Sequence, residues 1–179
     1  MQKNRIKKIC LCAIMSALYV GLDYLAVSVS APFGGTLKLS ISGLSVLIIS
    51  YFLGPFWAAA TGFVGAFLGQ MISYGFTATT VLWALPAMVR GLSAGFLFIL
   101  FKKRLKPITL IPQIILSSLL VTAVNTAVMY IDARVYHYSV VLLGVSLVNR
   151  ISAAILTSIL FAVVLPSIIK ALQKNLKLL

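Results

Sequence analysis

Residues 102–131 read KKRLKPITLIPQIILSSLLVTAVNTAVMYI, and this stretch decides the fold. Four cations crowd into Lys102, Lys103, Arg104 and Lys106. The run from Ile108 to Ile131 that follows holds no charged residue at all. About 20 apolar residues suffice to carry a helix through the hydrocarbon core of a bilayer. A helix of that kind crosses a membrane, and the basic cluster marks the side on which it starts.

Working outward, the same alternation recurs. Lys3, Arg5, Lys7 and Lys8 precede one apolar run, and Lys170, Lys174 and Lys177 follow another. The chain is 61% hydrophobic and 9% charged, with a mean hydropathy of +1.11. A soluble domain carries about 25% charged residues, so these values place the chain among polytopic helical membrane proteins. Lys and Arg number 15 against 2 acids, for a net charge of +13. Cations flanking apolar helices are what the positive-inside bias requires, and they sit at the level of anionic headgroups. No interleaving of aromatic and basic residues offers a stacking platform, so nucleic acid is not expected as a partner.

Six spans are expected in a single membrane domain over 1–179: Ile9–Val29, Leu39–Leu53, Phe56–Ser73, Thr80–Phe101, Ile108–Ile131 and Val145–Leu172. Gly54-Pro55 is the turn between the second and third. The second is short, and a partly re-entrant path is open to it. With six spans the three basic clusters share one side, leaving Lys38 and Arg134 on the other, so both termini are expected in the cytoplasm. The external connections are expected to be Ser30–Ser40, Tyr74–Thr79 and Asp132–Gly144. The N-terminus resembles a secretory signal, but the apolar run is long and carries Asp23, so cleavage is not expected. Cys10 and Cys12 lie in one apolar segment with neither zinc-type spacing nor a disulfide framework.

Polar groups within a membrane are expensive, and each is a functional candidate. Asp23, Gln70, Arg90, Asn125, Asn149 and Arg150 are placed in the outer half of the bundle, and the inner half is expected to be nearly all apolar. Such a distribution suits a pocket open to the outside. Arg90, about 15 Å below the outer end of its span, needs a counter-charge. Asp23 is one candidate and the carboxylate of a ligand, held bidentately, is another; packing of the guanidinium against backbone carbonyls is the third reading. Arg150 is near the interface, where snorkelling explains it as well as ligand binding does. Tyr74, Thr77, Thr79, Thr80 and Trp83 surround the same level, and Gly75 lends the Tyr74–Thr79 loop the freedom to close over a ligand.

Small residues recur at four-residue spacing: Ala13, Ala17 and Gly21; Gly65 and Gly69; Gly91 and Gly95. Such stripes let helices approach closely. The first is the one expected to face another protein, because the inner half of its span lacks polar partners. Catalysis is poorly supported. The one histidine, His137, is in an external connection, no metal-binding His-Glu-x-x-His occurs, and the Gly91-Leu-Ser-Ala94 segment has no histidine in a span to activate its serine. No phosphate-binding loop is present, so the chain does not use ATP by itself, and no cofactor or metal is expected.

The combination resembles the substrate-binding S-component of energy-coupling factor (ECF) transporters, the bacterial vitamin importers. The resemblance covers nearly the whole chain. It rests on Ala13-x-x-x-Ala17, on Leu53-Gly-Pro-Phe-Trp57 leading into a glycine-rich helix through Gly69, on Leu82-Trp-Ala-Leu-Pro-Ala-Met-Val-Arg-Gly91, and on Asn125-Thr126. It implies capture of a vitamin from outside and docking of the Ala13/Ala17 face, with Gly21, on a transmembrane coupling subunit that carries two ATPases. It also implies toppling within the bacterial plasma membrane to release the cargo. The substrate-binding set is then Asp23, Lys38, Gln70, Tyr74 and Thr80, with Trp83, Arg90, Asn125 and Arg150. Pantothenate, with one carboxylate, one amide and two hydroxyls, fits these groups best. Folate is next, although Tyr74-Gly-Phe-Thr departs from the Phe-Pro-Gly-Phe-Thr loop of folate members. The alternative class is a stand-alone secondary transporter of a small organic anion, which would need coupling groups in both leaflets and usually inverted repeats.

Overall fold

A computed structural model describes residues 2–30, 36–102, 107–137 and 142–176. Its elements in chain order are α1 (Gln2–Tyr24), β1 (Val27–Ser30), β2 (Thr36–Leu39), α2 (Gly43–Phe52), α3 (Pro55–Tyr74), α4 (Thr80–Leu100), α5 (Pro107–Tyr136) and α6 (Leu142–Leu176). This is the six-helix membrane fold expected, with one addition. The end of the first expected span and the connection after it form an antiparallel hairpin, Val27 opposite Leu39 and Ser30 opposite Thr36. The reason is local. Val27-Ser-Val-Ser30 alternates β-branched and polar residues with the period of a strand, and α1 has already ended at Tyr24.

Two further expectations are corrected. α5 runs on to Tyr136, so Asp132 and Arg134 are helical and not part of a loop. α2 has 10 residues instead of the 15 expected. At 1.5 Å per residue it is about 15 Å long, half of the roughly 30 Å hydrocarbon core. Four helical segments are long and apolar enough to cross a membrane: Pro55–Tyr74, Thr80–Leu100, Ile108–Tyr136 and Arg150–Leu172. α1 has the length, but its basic first turns and Asp23 leave it no sufficiently apolar window.

The short helix is the centre of the molecule. Every residue of α2 but Leu44 is buried, as expected of a helix apolar on all sides. Leu47, Ile48 and Tyr51 pack with Ala94 and Phe98 of α4, Leu110 and Ile114 of α5, and Phe161, Leu165 and Ile169 of α6. Val46 and Ile49 face Cys12 of α1 and Ala58 of α3. Tyr51 meets Phe98 edge-on, ring centroids 4.5 Å apart.

α3 and α4 form the closest seam. A Cβ on Gly91 would lie 2.5 Å from the Ala58 carbonyl carbon, one on Gly62 2.5 Å from the Ala87 oxygen, and one on Gly95 2.6 Å from Pro55 Cα. These are backbone atoms and cannot swing aside. Of the expected stripes, Gly91/Gly95 is such a contact and Gly65 packs on the Tyr19 ring, whereas Gly69 and Gly21 have nothing within 4 Å.

Candidate functional site

The site starts from the amino end of α2. Because α2 is half the length of α3 and α4, its first turn lies well inside the bundle, and the chain before it, Ser40 to Ser42, runs without helical structure there. Non-helical backbone at membrane depth persists only where protein buries it or where it lines a cavity. Ser42 is the N-cap residue, yet its side chain makes no cap hydrogen bond. Its hydroxyl donates instead to Asp23 Oδ1 at 3.3 Å, and the Ser40 hydroxyl donates to the same oxygen at 2.9 Å. The two serine hydroxyls are 2.7 Å apart, and Ser42 N–H donates to Ser40 Oγ at 3.2 Å. Asp23 thereby ties the end of α1 to the start of α2.

Arg90 comes to this point from α4. A Cβ on Gly43, the first residue of α2, would stand 3.1 Å from Cζ, Nε and Nη1 of the guanidinium, so the fork lies against the helix start. The Tyr19 phenol of α1 is beside Ser42 and within electrostatic reach of Asp23 and Arg90. Arg90 and Tyr19 are both deep in the bundle, surrounded by protein, and both keep some accessible surface. Among the described residues no carboxylate lies within ion-pair distance of Arg90. Of the two counter-charges open at the sequence level, Asp23 is engaged with the serines instead. A guanidinium at a helix amino end, where the dipole is positive, is unfavourable unless an anion joins it.

The other expected residues take distinct places. Gln70 and Asn125 are partly buried, and neither side chain makes a hydrogen bond among the described residues. A Ser158 to Ser118 hydrogen bond of 2.9 Å sets α6 against α5 and brings Arg150 to the level of Asn125 on the neighbouring helix. Arg150 is partly buried. Trp83 lies seven residues before Arg90, on the same stripe of α4, and its indole N–H donates to Asp132 Oδ1 at 3.2 Å. Thr80 is buried, and its hydroxyl accepts from Thr77 N–H at 2.8 Å, so it holds the connection between α3 and α4. Tyr74, at 71% exposure, is the last residue of α3. The side chains of Lys38 and Asn149 lie outside the described residues. Ala13, Ala17 and Gly21 are exposed along one face of α1, uncovered by the other described residues.

Sequence reasoning missed Tyr19, Ser40, Ser42, Gly43 and Asp132. Ser40-Ile-Ser42-Gly43 ahead of an apolar run is a helix-start signal, and Tyr19 is one turn from Asp23 on the same helix face. The expectation of an apolar inner half also needs correction. Gln113 is fully buried with no partner among the described residues for either side-chain polar atom, and the buried Tyr51 hydroxyl also lacks one among them. Ser93 and Ser117 hydroxyls meet at 2.6 Å between α4 and α5. Among the described residues no group of three His, Cys, Asp or Glu side chains stands ready for a metal ion.

The fold and site together define a helical membrane protein in which Arg90 of α4 and Tyr19 of α1 meet the start of α2. Comparison with known proteins gives the family. The family model described as "ECF transporter, substrate-specific component" matches residues 7–174, and the chain belongs to that family. A solved structure titled "Structure and mechanism of the S component of a bacterial ECF transporter" superposes with a TM-score of 0.67 at 19% identity. The match covers 94% of this chain and 98% of that one, and shows a shared fold. The curated protein sequences contain no match. The chain is therefore a membrane transport component of the substrate-specific class, and that class is not one of enzymes.

Proposed function

We propose that this chain captures a water-soluble anionic vitamin from outside the bacterial plasma membrane, pantothenate first and folate second. It then passes the vitamin inward through a coupling subunit that carries two ATPases. The observation that carries the reading is Arg90. Its guanidinium is deep but accessible, lies against the first turn of α2, and has no carboxylate partner among the described residues. A ligand carboxylate placed there receives a charge-assisted pair from the arginine and the favourable end of a helix dipole. Gln70 and Asn125 have amide groups uncommitted among the described residues, suited to the amide and hydroxyls of pantothenate. Trp83, about 10 Å further along the same stripe, is the wall for the rest of the ligand. The exposed Ala13/Ala17/Gly21 face supports docking of the coupling subunit, since small residues permit close helix approach. Both termini are assigned to the cytoplasmic side by the positive-inside bias.

Mass spectrometry of small molecules retained by the purified protein tests the substrate directly. A carboxylate-bearing vitamin supports the proposal. A retained cation, or calorimetric binding of pantothenate and folate that is equally absent, refutes the anionic pocket.

A further inference from the structure

Asp132 is one of only two acids in the chain. It sits near the end of α5, and its Oδ1 accepts two hydrogen bonds from α4, one from Thr79 Oγ1 at 2.5 Å and one from Trp83 Nε1 at 3.2 Å. Thr79 is the N-cap residue of α4 and is 2% exposed, yet it does not cap its own helix. Its hydroxyl is given to α5. Thr79 and Trp83 are four residues apart, so both face the same carboxylate from successive turns. The preceding connection is held by Thr77 N–H and by the Thr77 hydroxyl, each 2.8 Å from Thr80 Oγ1.

An indole attached only by its apolar face is free to take several rotamers. Here the N–H edge is fixed by a charged acceptor, and charge-assisted bonds are about twice as strong as neutral ones. The ring plane is thereby set, on the stripe that leads to Arg90. We propose that Asp132 is a positioning residue of the site. It orients Trp83 as the wall against which the uncharged part of the ligand packs, and it tethers the connection between α3 and α4 to α5. The inference rests on the reading of Arg90 as the anion anchor, and it adds a determinant of how long the ligand stays.

The test uses the full chain with Trp57→Phe, which leaves Trp83 as the only indole. Asp132→Leu is expected to raise acrylamide quenching of Trp83 at least twofold in the ligand-free protein. It is also expected to speed pantothenate dissociation about tenfold while the association rate changes less than threefold. Asp132→Asn, which keeps an acceptor oxygen, is expected to restore the quenching and most of the residence time. Unchanged quenching in Asp132→Leu overturns the positioning role, whatever happens to binding. Altered quenching with an unchanged dissociation rate overturns the link from Trp83 to the ligand. If the unmodified chain binds neither pantothenate nor folate, the anchor reading fails and the residence-time claim with it, and the quenching result still decides whether Asp132 fixes the indole.

Discussion

A guanidinium midway along a membrane helix, beside the amino end of a second helix, has two separate reasons to draw in an anion. Removing it withdraws the pairing group. Arg90→Ala is expected to weaken pantothenate binding at least tenfold, about 1.4 kcal/mol, and calorimetry that shows equal affinity refutes the role. Arg90→Lys is expected to recover only part, because a point charge does not reproduce the planar fork. The buried inner-half groups call for the opposite expectation. Tyr51→Phe keeps the edge-on contact with Phe98 and deletes a hydroxyl with no partner among the described residues. An unsatisfied buried polar group costs about 1–3 kcal/mol, so the variant is expected to melt at a higher temperature in detergent. A lower melting temperature would show that the hydroxyl is engaged. At this scale the residue types were legible and their pairings were not. Arg90 and Asp23 stood out because charges in an apolar run are rare. Which of them meets the other depends on helix rotation, and serines near the start of α2 took the carboxylate.

Among elements, the seam between α3 and α4 depends on absent side chains. Gly91→Val places branched carbon where the Ala58 and Ala59 backbone already stands. Overpacking of this kind costs about 1–3 kcal/mol or more, and a marked drop in melting temperature is expected. Gly69→Ala is the control, since nothing lies within 4 Å of its position, and a change of about 0.5 kcal/mol or less is expected. Equal melting of the two variants would remove the seam from the account. The glycine stripes were readable as spacing, but spacing does not say which stripe is used: Gly91/Gly95 is, Gly69 is not. The hairpin was missed although its alternating valines and serines were in view, because the apolar run before it was continued across them. The brevity of α2 was half visible, in a span already short for a membrane.

For the whole molecule, charge and apolar length define a membrane component, and α1 carries an exposed face of small residues, Ala13, Ala17 and Gly21. Ala13→Trp with Ala17→Trp is expected to leave pantothenate affinity unchanged and to abolish uptake by the assembled transporter. Normal uptake would show that this face meets lipid instead. Membrane class, helix number and family resemblance were determined by the sequence by itself, because hydropathy, charge and motif spacing are properties of consecutive residues and add along the chain. The meetings of polar residues around Arg90 and Asp23 were decided only by tertiary structure. A ten-residue helix stops short inside longer neighbours; Gly43 meets Arg90, Ser42 meets Asp23, and Trp83 meets Asp132. Those meetings join residues far apart in the chain, and they depend on the rotation and depth of each helix, which no local pattern encodes.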